Sequence, residues 1–140
     1  MEKIKFYLLS LFTIISLTTL SSCESDDDIG YDLSGAFGKS WFGDFGATDR
    51  YGEPLFSEIM FSPGNRNYYG TGWERTYYID DPHPYSEERF EWEIDEGVLY
   101  IYYQHSPYEM RIYDYYVGHD IFRGRFEDGF LFELYLDRRW

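Results

Sequence analysis

Cysteine is almost missing from this chain: among 140 residues a single thiol is present, at Cys23. No disulfide framework can form within the chain, so a folded domain must be held by its core alone. Basic residues are also few. Twelve Lys+Arg stand against 26 Asp+Glu, a formal charge of −14. That imbalance excludes a nucleic-acid partner recruited by phosphate neutralisation, and it opposes docking of the domain itself on an anionic membrane. No apolar run reaches the roughly 20 residues of a membrane-spanning helix. The longest, Phe6 to Leu20, has about 15. Beyond residue 40 no segment of a dozen residues keeps apolar positions at helical spacing without a Gly or Pro interrupting it, so no helix is predicted there. Aromatic residues, by contrast, make up 23% of the chain, far too many for a disordered acidic polymer.

The first 22 residues carry the marks of an export signal. Lys3 and Lys5 give a positive start, the apolar run follows, and the small residues Ser21 and Ser22 precede Cys23. Leu20-Ser21-Ser22-Cys23 resembles the lipobox of bacterial lipoproteins, which implies that Cys23 becomes the acylated N-terminus of the mature chain. A thiol used for lipid accounts for a lone cysteine in an exported protein. The following Glu24-Ser25-Asp26-Asp27-Asp28 reads as a solvated acidic spacer. It also resembles the acidic surface-export signal of Bacteroidetes lipoproteins. The expected organisation is a signal peptide over 1–22, a lipidated cysteine and acidic tether over 23–39, and one domain over 40–140. The expected location is the outer membrane, lipid-anchored and exposed at the cell surface. The mature chain of 118 residues carries a charge of −15 and is long enough for one real core.

Within the domain, strand signals recur every 10 to 15 residues, separated by turn residues. Eight strands are predicted: Ser40–Phe45, Leu55–Ser62, Tyr68–Asp80, Arg89–Asp95, Val98–Gln104, Met110–Val117, Ile121–Glu127 and Phe130–Asp137. Asp95-Glu96-Gly97 and Asp128-Gly129 suit tight hairpins, where Gly accepts positive φ. Alternation places Phe90, Trp92 and Ile94 inside and Arg89, Glu91, Glu93 and Asp95 outside. Leu99, Ile101, Tyr103, Met110, Ile112, Phe122, Phe126, Phe130, Phe132, Leu134 and Leu136 join the inner set. Gly70, Gly72 and Gly124 fall within strands, where Gly marks a bulge or bend. Short connections in series give an all-β, antiparallel up-and-down meander of eight strands, and closure into a small barrel removes its edges. An open sandwich is the alternative.

The order of Gly38-Lys39-Ser40-Trp41, Ile59-Met60-Phe61-Ser62-Pro63-Gly64, Gly70 and Gly72, Phe90-Glu91-Trp92, Leu99-Tyr100-Ile101, Met110-Arg111-Ile112 and Phe122-Arg123-Gly124 resembles the short lipocalin-like lipoproteins of Bacteroidetes, over nearly all of the mature chain. The resemblance implies an eight-stranded calycin-type barrel, in a family most of whose members have no established function. Lipocalins carry a Gly-x-Trp at the first strand and a basic residue near the last strand that packs on the Trp. Here Gly38 stands three residues before Trp41, and Arg138 and Arg139 are the candidate basic partners. Inner positions filled by Phe, Trp, Leu and Ile point to a packed centre.

Catalytic chemistry is hard to find in these residues, and no enzyme is expected. There is no Gly-x-Ser-x-Gly elbow, and His83, His105 and His119 all fall in predicted turns. Neither these histidines nor Asp26-Asp27-Asp28 show the ligand spacing of a zinc or calcium site, so no metal or cofactor is expected. One constellation remains. On the outer face, neighbouring strands present Tyr100 and Tyr102, then Arg111, Tyr113 and Tyr115, then Arg123 and Arg125, then Tyr135. Tyr and Arg offer area, hydrogen bonds and planar stacking together, which suits a protein or glycan partner. A cross-strand Tyr–Arg ladder that only stabilises a solvated sheet is the competing interpretation. Lys39 is the only lysine after Cys23, against nine arginines, a usage that favours planar recognition. The expected function is a non-catalytic, membrane-anchored binding or interaction module. A carrier of a small hydrophobic ligand and a purely structural envelope lipoprotein are the alternatives.

Overall fold

A computed structural model describes residues 24–137; the leader, Cys23, Arg138 and Arg139 lie outside them. Eight antiparallel strands follow one another in order: β1 (Lys39–Asp44), β2 (Phe56–Pro63), β3 (Tyr69–Tyr77), β4 (Ser86–Asp95), β5 (Val98–Tyr103), β6 (Glu109–Val117), β7 (Ile121–Phe126) and β8 (Leu131–Leu136). Each pairs with the next, and β8 pairs back onto β1 through Trp41↔Leu136 and Gly43↔Leu134, which closes the barrel. The predicted up-and-down barrel is therefore the fold, with strand ends displaced by at most three residues.

Alternation fills the interior. Trp41, Ile59, Phe61, Phe90, Trp92, Leu99, Ile101, Ile112, Phe122 and Leu134 are at most 2% exposed. Phe61 sits centrally, meeting Phe90, Trp92 and Phe122 edge-to-face at 5.4, 5.8 and 5.9 Å. Gly70 and Gly72 stand opposite Trp92 and Phe90 in the β3–β4 register. A Cβ at Gly72 would collide with the Met60 carbonyl and the Phe90 ring, so glycine here lets two large rings lie against the β3 backbone. Phe130 departs from its expected inward position. It ends the β7–β8 turn, 39% exposed and stacked on Phe126 at 6.0 Å, because Gly129 (φ 93°) delays the strand to Leu131.

The tether contains an unforeseen helix. α1 (Asp26–Ser34) begins at an N-cap, Ser25, whose hydroxyl accepts from the Asp28 amide and donates to the Asp28 carboxylate. Asp26, Asp27 and Asp28 occupy the first turn, where the helix dipole favours negative charge. Gly35 (φ 63°) ends the helix, its N–H bonded to the Tyr31 carbonyl at 2.7 Å. Leu33 is fully buried, Trp41 Nε1–H donates to the Leu33 carbonyl at 2.9 Å, and Lys39 Nζ donates to the Asp32 carbonyl at 2.7 Å. Gly30 packs directly on the Asn67 carbonyl of the β2–β3 turn. α1 thus closes the barrel end where β1, β3, β5 and β7 begin. The opposite end carries the β1–β2, β3–β4, β5–β6 and β7–β8 connections, and Phe45 and Leu55 of the first of these are buried there. The acidic run is part of the domain and not a free spacer.

Candidate functional site

β5, β6 and β7 present the expected Tyr–Arg set on their outer side, and the register sets each arginine opposite a tyrosine. Tyr100 pairs with Arg111, Tyr113 with Arg125 and Tyr116 with Arg123. The guanidinium carbons lie 5.9, 5.5 and 5.1 Å from those ring centroids, within cation–π range. Tyr100 and Tyr102 run parallel, 6.3 Å apart with planes 6° from coplanar. Acids border the set. Arg111 pairs with Glu109 and lies 3.9 Å from Glu127, while Arg125 forks onto Asp114 at 3.0 and 2.9 Å. Hydrogen bonding to Glu109 pushes the Arg111 guanidinium pKa up. Tyr102 donates to Glu93 at 2.7 Å, and burial followed by this bond pushes its phenol up to about 12. Tyr135 also belongs to this side, its hydroxyl bonded to Glu133.

Tyr115 does not belong to the face. Between the Tyr113↔Arg125 and Tyr116↔Arg123 pairs, β6 spends three steps for two on β7, a β-bulge with Asp114 at φ 49°. The extra residue reverses alternation: Tyr115 turns inward against the core and Tyr116, 52% exposed, takes the outer place. Burial and the neighbouring Asp26 carboxylate push the Tyr115 phenol up to about 12. Among the described residues its enclosed hydroxyl has no hydrogen-bond partner. The face is therefore Tyr100, Tyr102, Arg111, Tyr113, Tyr116, Arg123 and Arg125, with Tyr135 beyond them on β8. Lipidation of Cys23 lies outside the described residues.

The three histidines are exposed turn residues. Among the described residues no group of three or more His, Cys, Asp or Glu is arranged to hold a metal ion. Lys39 stands 6.0 Å from the Trp41 ring, a basic contact supplied by the first strand itself.

Sequence reasoning missed an acid inside the barrel. Glu74 points inward toward the barrel end opposite α1, where Ser57 and Tyr103 each donate to its carboxylate at 2.5 Å. Burial pushes the Glu74 carboxyl up, and burial together with Glu74 holds the Tyr103 phenol well above its ordinary value. The signal was the period of two from Gly70 through Gly72 to Glu74 on β3. A largely apolar groove of about 490 Å³ lies on the outside of the barrel, lined by Phe42, Phe56, Tyr77, Tyr78, Ile79 and Pro82 together with Asp80 and Asp81. No family model, curated protein or solved structure matches the chain.

Proposed function

We propose that this protein is a lipid-anchored module of the outer membrane, exposed at the cell surface, that binds a protein or glycan partner through its Tyr–Arg wall and has no catalytic role. One observation carries the proposal: three adjacent strands set Tyr100, Tyr113 and Tyr116 directly against Arg111, Arg125 and Arg123 on one outer surface. The guanidinium groups already lie over the rings, so little side-chain freedom is lost when a planar partner or a sugar ring settles there. The interior supports the same reading over carriage of a small hydrophobic ligand, because Phe61, Phe90, Trp92 and Phe122 occupy the space a carrier would leave open.

The test is a glycan array and a membrane-protein pull-down with the chain from Cys23 onward. Arg111→Ala and Tyr113→Ala should each weaken capture by more than about 1 kcal/mol, roughly fivefold or more. Capture that both variants retain at wild-type strength would move the site elsewhere.

A further inference from the structure

The lipid anchor and the fold together define which end of the barrel meets the membrane. This inference rests on the proposed acylation of Cys23. Glu24 and Ser25 are the only residues between Cys23 and the first residue of α1. Even fully extended, that connection spans about 11 Å. α1 itself is fixed to the barrel by Leu33, by the Trp41 and Lys39 bonds to its last carbonyls, and by Asn67 N–H bonded to Asp27 Oδ1 at 3.3 Å. No slack stalk separates lipid from domain.

The α1 end also carries exposed aromatic side chains. Tyr31 is 50% exposed on α1, Phe37 is 95% exposed in the turn leading into β1, and Tyr68 is 41% exposed beside Gly30 at the start of β3. An exposed phenylalanine gains by moving from water into the apolar boundary of a bilayer, and tyrosine is enriched at the headgroup level. The acids Glu24, Asp26, Asp27 and Asp28 share this end, so an anionic surface would repel it.

We infer that the α1-capped end is a docking face for a zwitterionic lipid surface, with Tyr31, Phe37 and Tyr68 in the headgroup region and the opposite end of the barrel pointing away.

The experiment couples the Cys23 thiol of the chain from Cys23 onward to a maleimide lipid in phosphatidylcholine vesicles, followed by hydroxyl-radical footprinting with mass-spectrometric readout. Relative to the uncoupled chain, oxidation of Tyr31, Phe37 and Tyr68 should slow about threefold or more. Tyr51 and Tyr108, 75% and 80% exposed on loops at the opposite end, should be oxidised at unchanged rates. Solution-rate oxidation of Phe37 on the vesicle, or equal protection of Tyr108, overturns the docking face. Protection as strong on phosphatidylglycerol vesicles overturns the choice of a zwitterionic surface. The anchor is tested apart from this, by the intact mass of the protein extracted from membranes. An unmodified Cys23 there removes the lipoprotein reading, while protection in the coupled chain still upholds the face.

Discussion

Trp92 offers the sharpest test of how this barrel is held. Its ring is 1% exposed, and its indole N–H is shared between the Ser62 and Thr71 carbonyls at 3.1 Å each. Trp92→Ala removes a large buried ring from a closed wall that cannot collapse into the space, at a cost of about 3–5 kcal/mol. Trp92→Phe keeps most of the packing but withdraws the donor both carbonyls share, at a cost of about 1–3 kcal/mol. Glu93, one position along, faces outward and is exposed, bonded only to Tyr102 among the contacts described. Its replacement by Ala should cost under about 0.5 kcal/mol. With a urea slope of about 2 kcal/mol per molar, the alanine variant at Trp92 loses roughly 2 M in midpoint and the Glu93 variant almost nothing. A domain of ordinary stability, about 5–15 kcal/mol, survives the first change but narrowly. Urea melts followed by far-UV circular dichroism read all three variants. Equal midpoints for Trp92→Ala and Glu93→Ala would refute the facing of β4, and a phenylalanine variant as weak as the alanine one would refute the division between packing and hydrogen bond.

Further expectations concern the bulge, the buried acid and the anchor. Asp114→Val puts a β-branched residue at positive φ and should cost about 1–2 kcal/mol in urea melts, while Asp114→Gly, which relieves the backbone, should cost clearly less. Glu74 has a raised pKa in the fold, so its stabilising contribution is complete below its unfolded value near 4.5 and is lost as pH rises through the folded value. Thermal melts of Glu74→Gln across that range should therefore show a flatter pH dependence than the wild type, and parallel curves would count against burial of the charge. Cys23→Ala should leave a chain that carries no lipid, read by intact mass and by loss of the protein from the membrane fraction.

The strands were legible because the turns between them have unambiguous chemistry. Asp95-Glu96-Gly97 is a hairpin with Glu96 at φ 48° and Gly97 at φ 77°, both central residues left-handed as the tightest turns require. It fixes the β4–β5 register, and with it the inward set Phe90, Trp92, Leu99 and Ile101. Helix α1 was less legible because its apolar face is thin: Ile29 and Leu33 alone lie between acids. Its signal was in the caps, Ser25 three residues before Asp28 and Gly35 at the close. Tyr115 was misplaced because nothing in Tyr113-Asp114-Tyr115-Tyr116 announces a bulge. Asp is only one of several residues that tolerate a left-handed backbone, and a single inserted step reverses every side chain after it.

The Tyr–Arg wall raises the question of how one arrangement could serve both stability and recognition. As a ladder, each cross-strand pair contributes at most about 1 kcal/mol to the fold, and the arginines lie half in water, where their ion pairs add little. As a partner site, the same order has more leverage. The domain is strongly acidic, yet on this wall Arg111, Arg123 and Arg125 each stand against an acid, Glu109, Glu133 and Asp114, so the wall is less acidic than its surround. An approaching neutral surface, a sugar face or a protein with few charges, meets no net repulsion there and finds donors and flat rings already positioned. Removing Arg111 alone would leave Glu109 and Glu127 unmatched and make the wall more acidic. A binding loss greater than the loss in folding stability is the result that separates recognition from a simple ladder, because the ladder alone has no means to make binding suffer more than folding.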